Sequence, residues 1–329
     1  MTKNILIFRT DRIGDLLITC PTVKTIKNYI SGAKISIITS EKNYEYAKTF
    51  DIFDEVYKFP KSNIFNKIKF YTKFIKKKFD YVFIFDGKDR SIILASLLKS
   101  KIKVAKTTNK KQIYYCSIFG IKNEIDVFGT DLNILHKKML EKSNLHVSID
   151  NFNYLKFKKN NNFAQIVPFD EYIHVHFDEK WFSSTYIKTY NDINPSYEQF
   201  TNFINLLSKK NNILITTGLL SNNLIERLLL DSKEKLNPKV YKYNLSENVF
   251  IIYKPTFLDL EPLLRKSKVL ISCHGALTHA AASFNIKIVD IVEQSSDQLI
   301  KRYSLYMKNY YKVYRENFKN LILNINQKI

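Results

Sequence analysis

A chain of 329 residues is longer than one ordinary core and fits two domains of roughly 150 residues each, and its 45% hydrophobic and 25% charged content excludes a disordered or fibrous protein. The net charge is +21, yet only 7 of the 52 basic residues are arginine, so the bidentate fork of sequence-specific nucleic-acid readers is scarce. The charge suits either an anionic partner or a lysine-rich coding bias. Cys20, Cys116 and Cys273 are too far apart for a zinc or dithiol motif, which points to a reducing, cytoplasmic setting.

The first apolar run, residues 5–8, is too short for a signal core or a membrane span of about 20 residues and reads as a buried strand. A polar turn over 10–14 and a helix with Leu16, Leu17, Val23 and Ile26 follow, with Pro21 in its first turn or kinking it. Residues 35–38 and 81–85 read as strands, the latter ending in Asp86-Gly87 before a helical stretch over 91–98. Between them, Ile64, Ile68, Tyr71, Ile75 and Phe79 recur at helical spacing, with Lys67, Lys69, Lys73, Lys76, Lys77 and Lys78 largely off that stripe. This basic amphipathic helix suits a membrane surface or simply a domain's own exterior. Lys99, Lys101, Lys103, Lys106, Lys110 and Lys111 add a second basic cluster.

After the polar stretch 158–162, strands are expected at 173–177, 213–216, 269–272 and 286–291. Helices are expected over 197–207, where Ser196 and Gln199 form a capping box, after the Thr256/Asp259 box, and from Leu277. Leu299, Tyr303 and Tyr306 continue a helical tail. Strands alternating with helices predict α/β architecture with parallel sheets, as a first domain over 1–157, a second over 163–300 and a tail over 301–329 packing back on the first.

With seven glycines the chain carries neither a GxGxxG fingerprint nor a P-loop, which removes dehydrogenases and P-loop kinases, and no Asp-x-Asp or Cys/His cluster invites a metal. His174 and His176 alternate on one strand and face one side, but lack a third ligand. The informative segment is Arg9-Thr10-Asp11-Arg12-Ile13-Gly14-Asp15, where a strand ends in a charged turn and Gly14 allows close backbone approach at a helix start. The segment from Cys273 to His279 likewise joins a strand to a helix, so its N–H groups suit a phosphate.

The order of Arg9, Ile13-Gly14-Asp15, Pro21, Asp86-Gly87, Arg90-Ser91, Lys180-Trp181, Gly218 and His279 resembles the heptosyltransferase-like glycosyltransferase family 9. The resemblance implies a GT-B fold, in which two Rossmann-like domains face each other across a cleft and a C-terminal helix crosses back. It also implies inverting, metal-independent transfer from a nucleotide-diphosphate sugar, with no cofactor, to a lipopolysaccharide core or other anionic lipid-linked acceptor. Asp15 matches the general base. Thr217, Gly218, Lys180, His274, Gly275, Ala276 and His279 fall to the donor, and Arg9, Arg12, Gly14, Asp86 and Arg90 to the acceptor. Where the family has Asp-Ser-Gly, this chain has His274-Gly275-Ala276, which loosens the link to ADP-heptose and leaves another hexose-like sugar open. The alternatives are a GT-B epimerase, or an inactive relative acting as a basic glycan- or membrane-binding protein. A nucleic-acid partner is not expected, and the cytoplasmic face of the membrane is the expected location.

Overall fold

The computed structural model describes residues 2–61, 64–150, 166–244 and 246–329, so the polar stretch 158–162 lies outside the described residues. The chain divides into two compact units. The first takes the described residues up to 150 together with 301–305, and the second takes 166–300 and 306–329.

In the first unit, β1 (Asn4–Arg9), β2 (Lys34–Thr39), β3 (Glu55–Lys58), β4 (Lys78–Ile84), β5 (Lys99–Thr107) and β6 (Lys122–Ile125) form one sheet in the order β3-β2-β1-β4-β5-β6. Every neighbouring pair is parallel. In β1 and β2 all residues after the first are buried, the unbroken apolar reading of strands covered on both faces. The helices are α1 (Ile13–Tyr29), α2 (Glu41–Ala47), α3 (Ile64–Ile75), α4 (Asp89–Ser96), α5 (Lys110–Ile118) and α6 (Leu132–Lys142). Phe70 and Phe74 of α3, Ile92 and Ala95 of α4 and Cys116 of α5 share one core, whereas Ile18 of α1 packs with Leu132 and Leu135 of α6 in another. Strand order reverses between β1 and β4, and ligands of such sheets bind beyond the carboxyl ends at that point.

Two local expectations for this unit change. Pro21 lies well inside α1, which begins at Ile13, not in its first turn. The buried stripe of α3 is Phe70 and Phe74, because their rings pack edge-on or tilted with Phe59, Tyr57 and each other, and this rotation turns Ile68 and Ile75 outward; Phe79 belongs to β4.

The second unit contains β7 (Tyr172–Phe177), α7 (Tyr197–Ser208), β8 (Ile213–Thr217), α8 (Asn223–Leu230), β9 (Glu234–Asn237), β10 (Val240–Lys242) and β11 (Val249–Ile252). It continues with α9 (Phe257–Arg265), β12 (Ser267–Cys273), α10 (Ala276–Ser283), β13 (Lys287–Val292), α11 (Asp297–Ser304), β14 (Tyr310–Tyr314) and α12 (Phe318–Asn326). Its sheet runs β14-β13-β12-β7-β8-β11-β10-β9, parallel except where β10 meets β9 and β11. Both capping boxes form: Ser196 and Thr256 Oγ accept from the N–H of Gln199 and Asp259, whose side chains accept from the cap N–H groups. Residues of β7, β8, β11, β12 and β13 and of α7 and α8 surround a core that includes the fully buried Trp181.

The tail differs from expectation. Only 301–305 group with the first unit, while β14 extends the second sheet beside β13 and α12 buries Phe318, Leu321 and Ile325 in the second core. Val313 and those three side chains are apolar at spacings that fit a strand and then a helix, and they fill the flank of β13.

Candidate active site

Arg9 ends β1 with its side chain 1% exposed. Its Nη1 donates to the Phe85 carbonyl at 2.6 Å and lies 3.3 Å from the Asp11 carboxylate. Its Nε donates to the Asp15 carbonyl at 2.9 Å, and Nη2 lies 3.5 Å from the Asp15 carboxylate. Burial alone would lower its pKa, but Asp11, Asp15 and Asp86 together raise it, so the charge is locked in. Around this cation the two nearest carboxylates differ. Burial pushes Asp11 up to about 6, aided by Asp15 and Asp86 against Arg9 and Lys106, and its Oδ1 is buried with no hydrogen-bond partner among the described residues. Asp15 is the third residue of α1 and accepts from the Arg12 N–H at 3.4 Å. Its side chain is 28% exposed and so open to solvent.

Asp86 is brought to this cluster as a tie between two loops. It is buried, and its Oδ2 accepts from Thr10 N–H at 3.2 Å, Thr10 Oγ at 2.6 Å and Ser91 Oγ at 2.7 Å, while Oδ1 accepts from Lys88 N–H at 3.2 Å. These bonds tie the end of β4 to the turn after β1. Arg90 is exposed, donates from Nη2 to the Thr10 carbonyl at 3.2 Å and Oγ at 2.9 Å, and rests over the Phe59 ring, a fixed cation that an anion can meet. Arg12 is the exposed N-cap of α1, and Gly14 is that helix's second residue.

Sequence reasoning missed the rest of this cluster. Lys106 on β5 lies 3.5 Å from Asp126, with its pKa lowered by burial and by Arg9, and Arg302 lies 2.6 Å from the same carboxylate. Lys106 was visible only as one lysine of a basic run. Its strand-end position was the missing signal.

In the second unit, β7, β8 and β12 are neighbours and their carboxyl ends carry the other cluster. Asp178 caps a single 3-10 turn, Glu179–Trp181, whose indole N–H donates to the His176 carbonyl at 3.0 Å. Lys180 Nζ lies 2.9 Å from Asp178 Oδ2 and donates to the carbonyls of Cys273 and His274, each at 3.3 Å. Burial opposes both charges, yet Lys180 and His176 lower Asp178 to about 2, and Asp178 raises Lys180 above the usual lysine range. Two glycines make room for this turn. A Cβ on Gly275 would sit 2.5 Å from Lys180 Nζ, and one on Gly218 would sit 2.2 Å from Glu179 Oε2 and 2.8 Å from Asp178 Cβ. Beside Lys180, α10 begins at Ala276, so the positive end of its dipole supplements the ammonium.

His274 Nδ1 lies 2.5 Å from Oδ2 of the fully buried Asp290, which also accepts from Tyr310 OH at 2.8 Å. His279 is buried against Tyr306, whose hydroxyl is 3.0 Å from its Nδ1; burial, then His274 and Lys180, push its pKa well below the usual value, so it stays neutral. Thr217 Oγ accepts from the Lys254 N–H at 2.8 Å. His174 and His176 do face one side, and there they share Thr216 Oγ at 2.7 and 2.8 Å, a hydrogen-bonded triad inside the sheet layer. Arg315 was also missed. It is buried at the end of β14 and holds the Lys180 carbonyl at 2.6 Å and the Asn191 carbonyl at 2.7 Å.

No protein-family model matches the chain, and no curated protein matches it. Solved structures do. A glycosyltransferase of family 9 from Veillonella parvula is 13% identical at a TM-score of 0.71, over 99% of this chain and 92% of that one. The E. coli heptosyltransferase WaaC with ADP is 16% identical at 0.67, over 99% of this chain and 100% of that one. A UDP-GlcNAc 2-epimerase from Methanocaldococcus jannaschii is 12% identical at 0.58, over 99% of this chain and 92% of that one. The chain therefore has the heptosyltransferase-like GT-B fold of two Rossmann-like α/β domains.

Proposed function

We propose that the protein is an inverting glycosyltransferase that moves a heptose or other hexose-like sugar from a nucleotide-diphosphate donor to an anionic lipid-linked saccharide, such as a lipopolysaccharide core. The reading rests chiefly on Asp15, a carboxylate held by Arg9 and the Arg12 N–H yet open to solvent, at the switch point of the first sheet. In this reaction Asp15 takes the acceptor hydroxyl's proton as that oxygen bonds to the anomeric carbon. The bond from that carbon to the diphosphate breaks on the opposite face, and the electron pair leaves with the nucleoside diphosphate.

Lys180 and the first N–H groups of α10 offset the charge that develops on the leaving group, so no metal is assigned to this step. A phosphate oxygen would replace the Cys273 or His274 carbonyl as a Lys180 partner while the Asp178 contact remains. That a heptosyltransferase of the same fold is described with ADP favours a nucleoside diphosphate leaving group. Gly218, Thr217, His274 and His279 belong to the donor side, and Arg90 and Arg12 to the acceptor side, with the lysine-rich α3 meeting the membrane that carries the acceptor at its cytoplasmic face.

Thermal-shift measurements against nucleotide sugars and free nucleoside diphosphates test the donor, since ligand at tens of times Kd adds about 2 kcal/mol of stability. Asp15→Asn is then expected to abolish transfer while keeping the donor's shift. Equal turnover in the variant rules Asp15 out as the base, and product analysis separates transfer from epimerisation of the donor.

A further inference from the structure

The helix face opposite the core of the first unit is apolar where a solvated surface is ordinarily polar. With Phe70 and Phe74 turned inward, α3 presents Phe65 at 74%, Ile68 at 51% and Ile75 at 44% exposure. These three positions, spaced by three and seven residues, fall on one side of the helix. α4 and α5 pack into the same core as α3, on the same face of the sheet, and Leu97, which caps the end of α4, and Tyr114 and Ile118 of α5 are 57%, 63% and 56% exposed. Large side chains scattered singly need no account, but a run across three adjacent helices does.

The charge along α3 has one sign. Residues 56–79 contain eight lysines and no acidic residue. Lys69, Lys73 and Lys76 are exposed along the edge of the α3 stripe, and Lys110 and Lys111 are exposed at the start of α5. Lys77 is committed to Glu55, and Lys111 to Asp89, so the α3 lysines carry most of the uncompensated charge. Apolar rings and branched chains beside lysines, on a unit in which no helix among the described residues is long and apolar enough to cross a membrane, match the pattern of a surface that lies in a lipid headgroup layer.

We propose that the outer face of α3, α4 and α5 docks on an anionic phospholipid surface, with Phe65, Ile68 and Ile75 entering the acyl boundary and Lys69, Lys73 and Lys76 meeting the headgroups. This refines the membrane contact of the transferase reading from one lysine-rich helix to a three-helix face with its own apolar anchor. The binding requires no sugar donor, so it stands or falls separately from catalysis.

Cosedimentation of the full chain with vesicles of phosphatidylcholine alone, or containing one third phosphatidylglycerol, tests it. Binding is expected only with the anionic lipid, falling severalfold when salt rises from 0.05 to about 0.5 M. Phe65→Ser/Ile68→Ser and, separately, Lys69→Glu/Lys73→Glu/Lys76→Glu are each expected to weaken it about tenfold or more, with unchanged circular dichroism and melting temperature. No binding to the anionic vesicles overturns the proposal. So does binding that neither variant weakens, or a concentration-dependent dimer that both variants dissolve, because a second copy would then cover the face.

Discussion

Lys180 holds the loop after β7 to the loop after β12, and replacing it with methionine keeps most of the aliphatic stem while removing the ammonium. Asp178 is 5% exposed and would lose its main counter-ion, and the carbonyls of Cys273 and His274 would lose a donor. Two routes give the magnitude. The fall of Asp178 from 3.8 to about 2 on folding corresponds to about 2–3 kcal/mol of stability at neutral pH. Breaking one side of a buried ion pair costs about 3–5 kcal/mol in general. We therefore expect Lys180→Met to lose about 3 kcal/mol at pH 7, and Lys180→Met/Asp178→Asn to recover at least half of it. Trp181 is the only tryptophan and lies in the second core, so its fluorescence during urea unfolding reports on this unit. The carboxylate's pKa is depressed in the fold, so its contribution is whole above about pH 4 and is lost as the pH falls through about 2. Wild type and Lys180→Met should accordingly converge in acid. A loss below about 1 kcal/mol at pH 7, or a double variant no more stable than the single one, would refute the assignment of Lys180 and Asp178 as a coupled buried pair.

Asp11 carries the opposite sign, since its pKa rises to about 6 from 3.8 in the fold; its ionisation therefore costs stability as the pH climbs from about 4 to 6, by about 3 kcal/mol in total. Asp11→Asn should flatten that part of the pH–stability curve, and parallel curves for the two proteins would count against it. Gly218→Ala should cost about 1–3 kcal/mol, because the new Cβ meets the Asp178 Cβ at 2.8 Å and cannot be relieved by a side-chain tip alone; Trp181 fluorescence during unfolding checks this. His274→Asp, the exchange that restores the family's residue, sets a second carboxylate against the buried Asp290. It should destabilise the second unit in urea unfolding followed by Trp181 fluorescence, and Asp290→Asn should relieve most of that loss.

Much of the fold was legible because its strands are buried on both faces. Residues 5–8 form a continuous apolar run in a central strand, 173–177 and 286–291 are rich in Ile, Val and Phe, and β1, β7 and β13 all lie inside their sheets with nearly every residue buried. Most strands that escaped notice are edge or outer ones, although β11, whose apolar Val249–Ile252 run is buried inside the second sheet, also went unread because it is only four residues long. β5 alternates lysine with small or apolar residues along its first half, β6 and β9 are largely polar, and β14 looked like the continuation of a helix. The edge and outer strands bury too little to leave a hydrophobic signature. In the site, the turn from Arg9 to Asp15 was readable because its partners are neighbours in the chain. The tie from Asp86 to Thr10 was not, since Thr10 lies 76 residues away. Nor could the pairing of His274 with Asp290, or the hold of Arg315 on the Lys180 carbonyl across 135 residues, be seen before folding.

The placement of β14 and α12 bears on the order in which the molecule is assembled. The six strands of the first unit occupy a continuous stretch ending at Ile125, so that sheet can close while later residues are still being added. The second sheet is different. Its outer strand beside β13, and the helix that supplies Phe318, Leu321 and Ile325 to its core, follow every other element of that unit. Domains emerging in sequence fold largely as units. A nascent chain halted before Tyr310 would thus carry a finished first unit and a second whose β13 edge and core remain uncovered, a state open to chaperones and to aggregation.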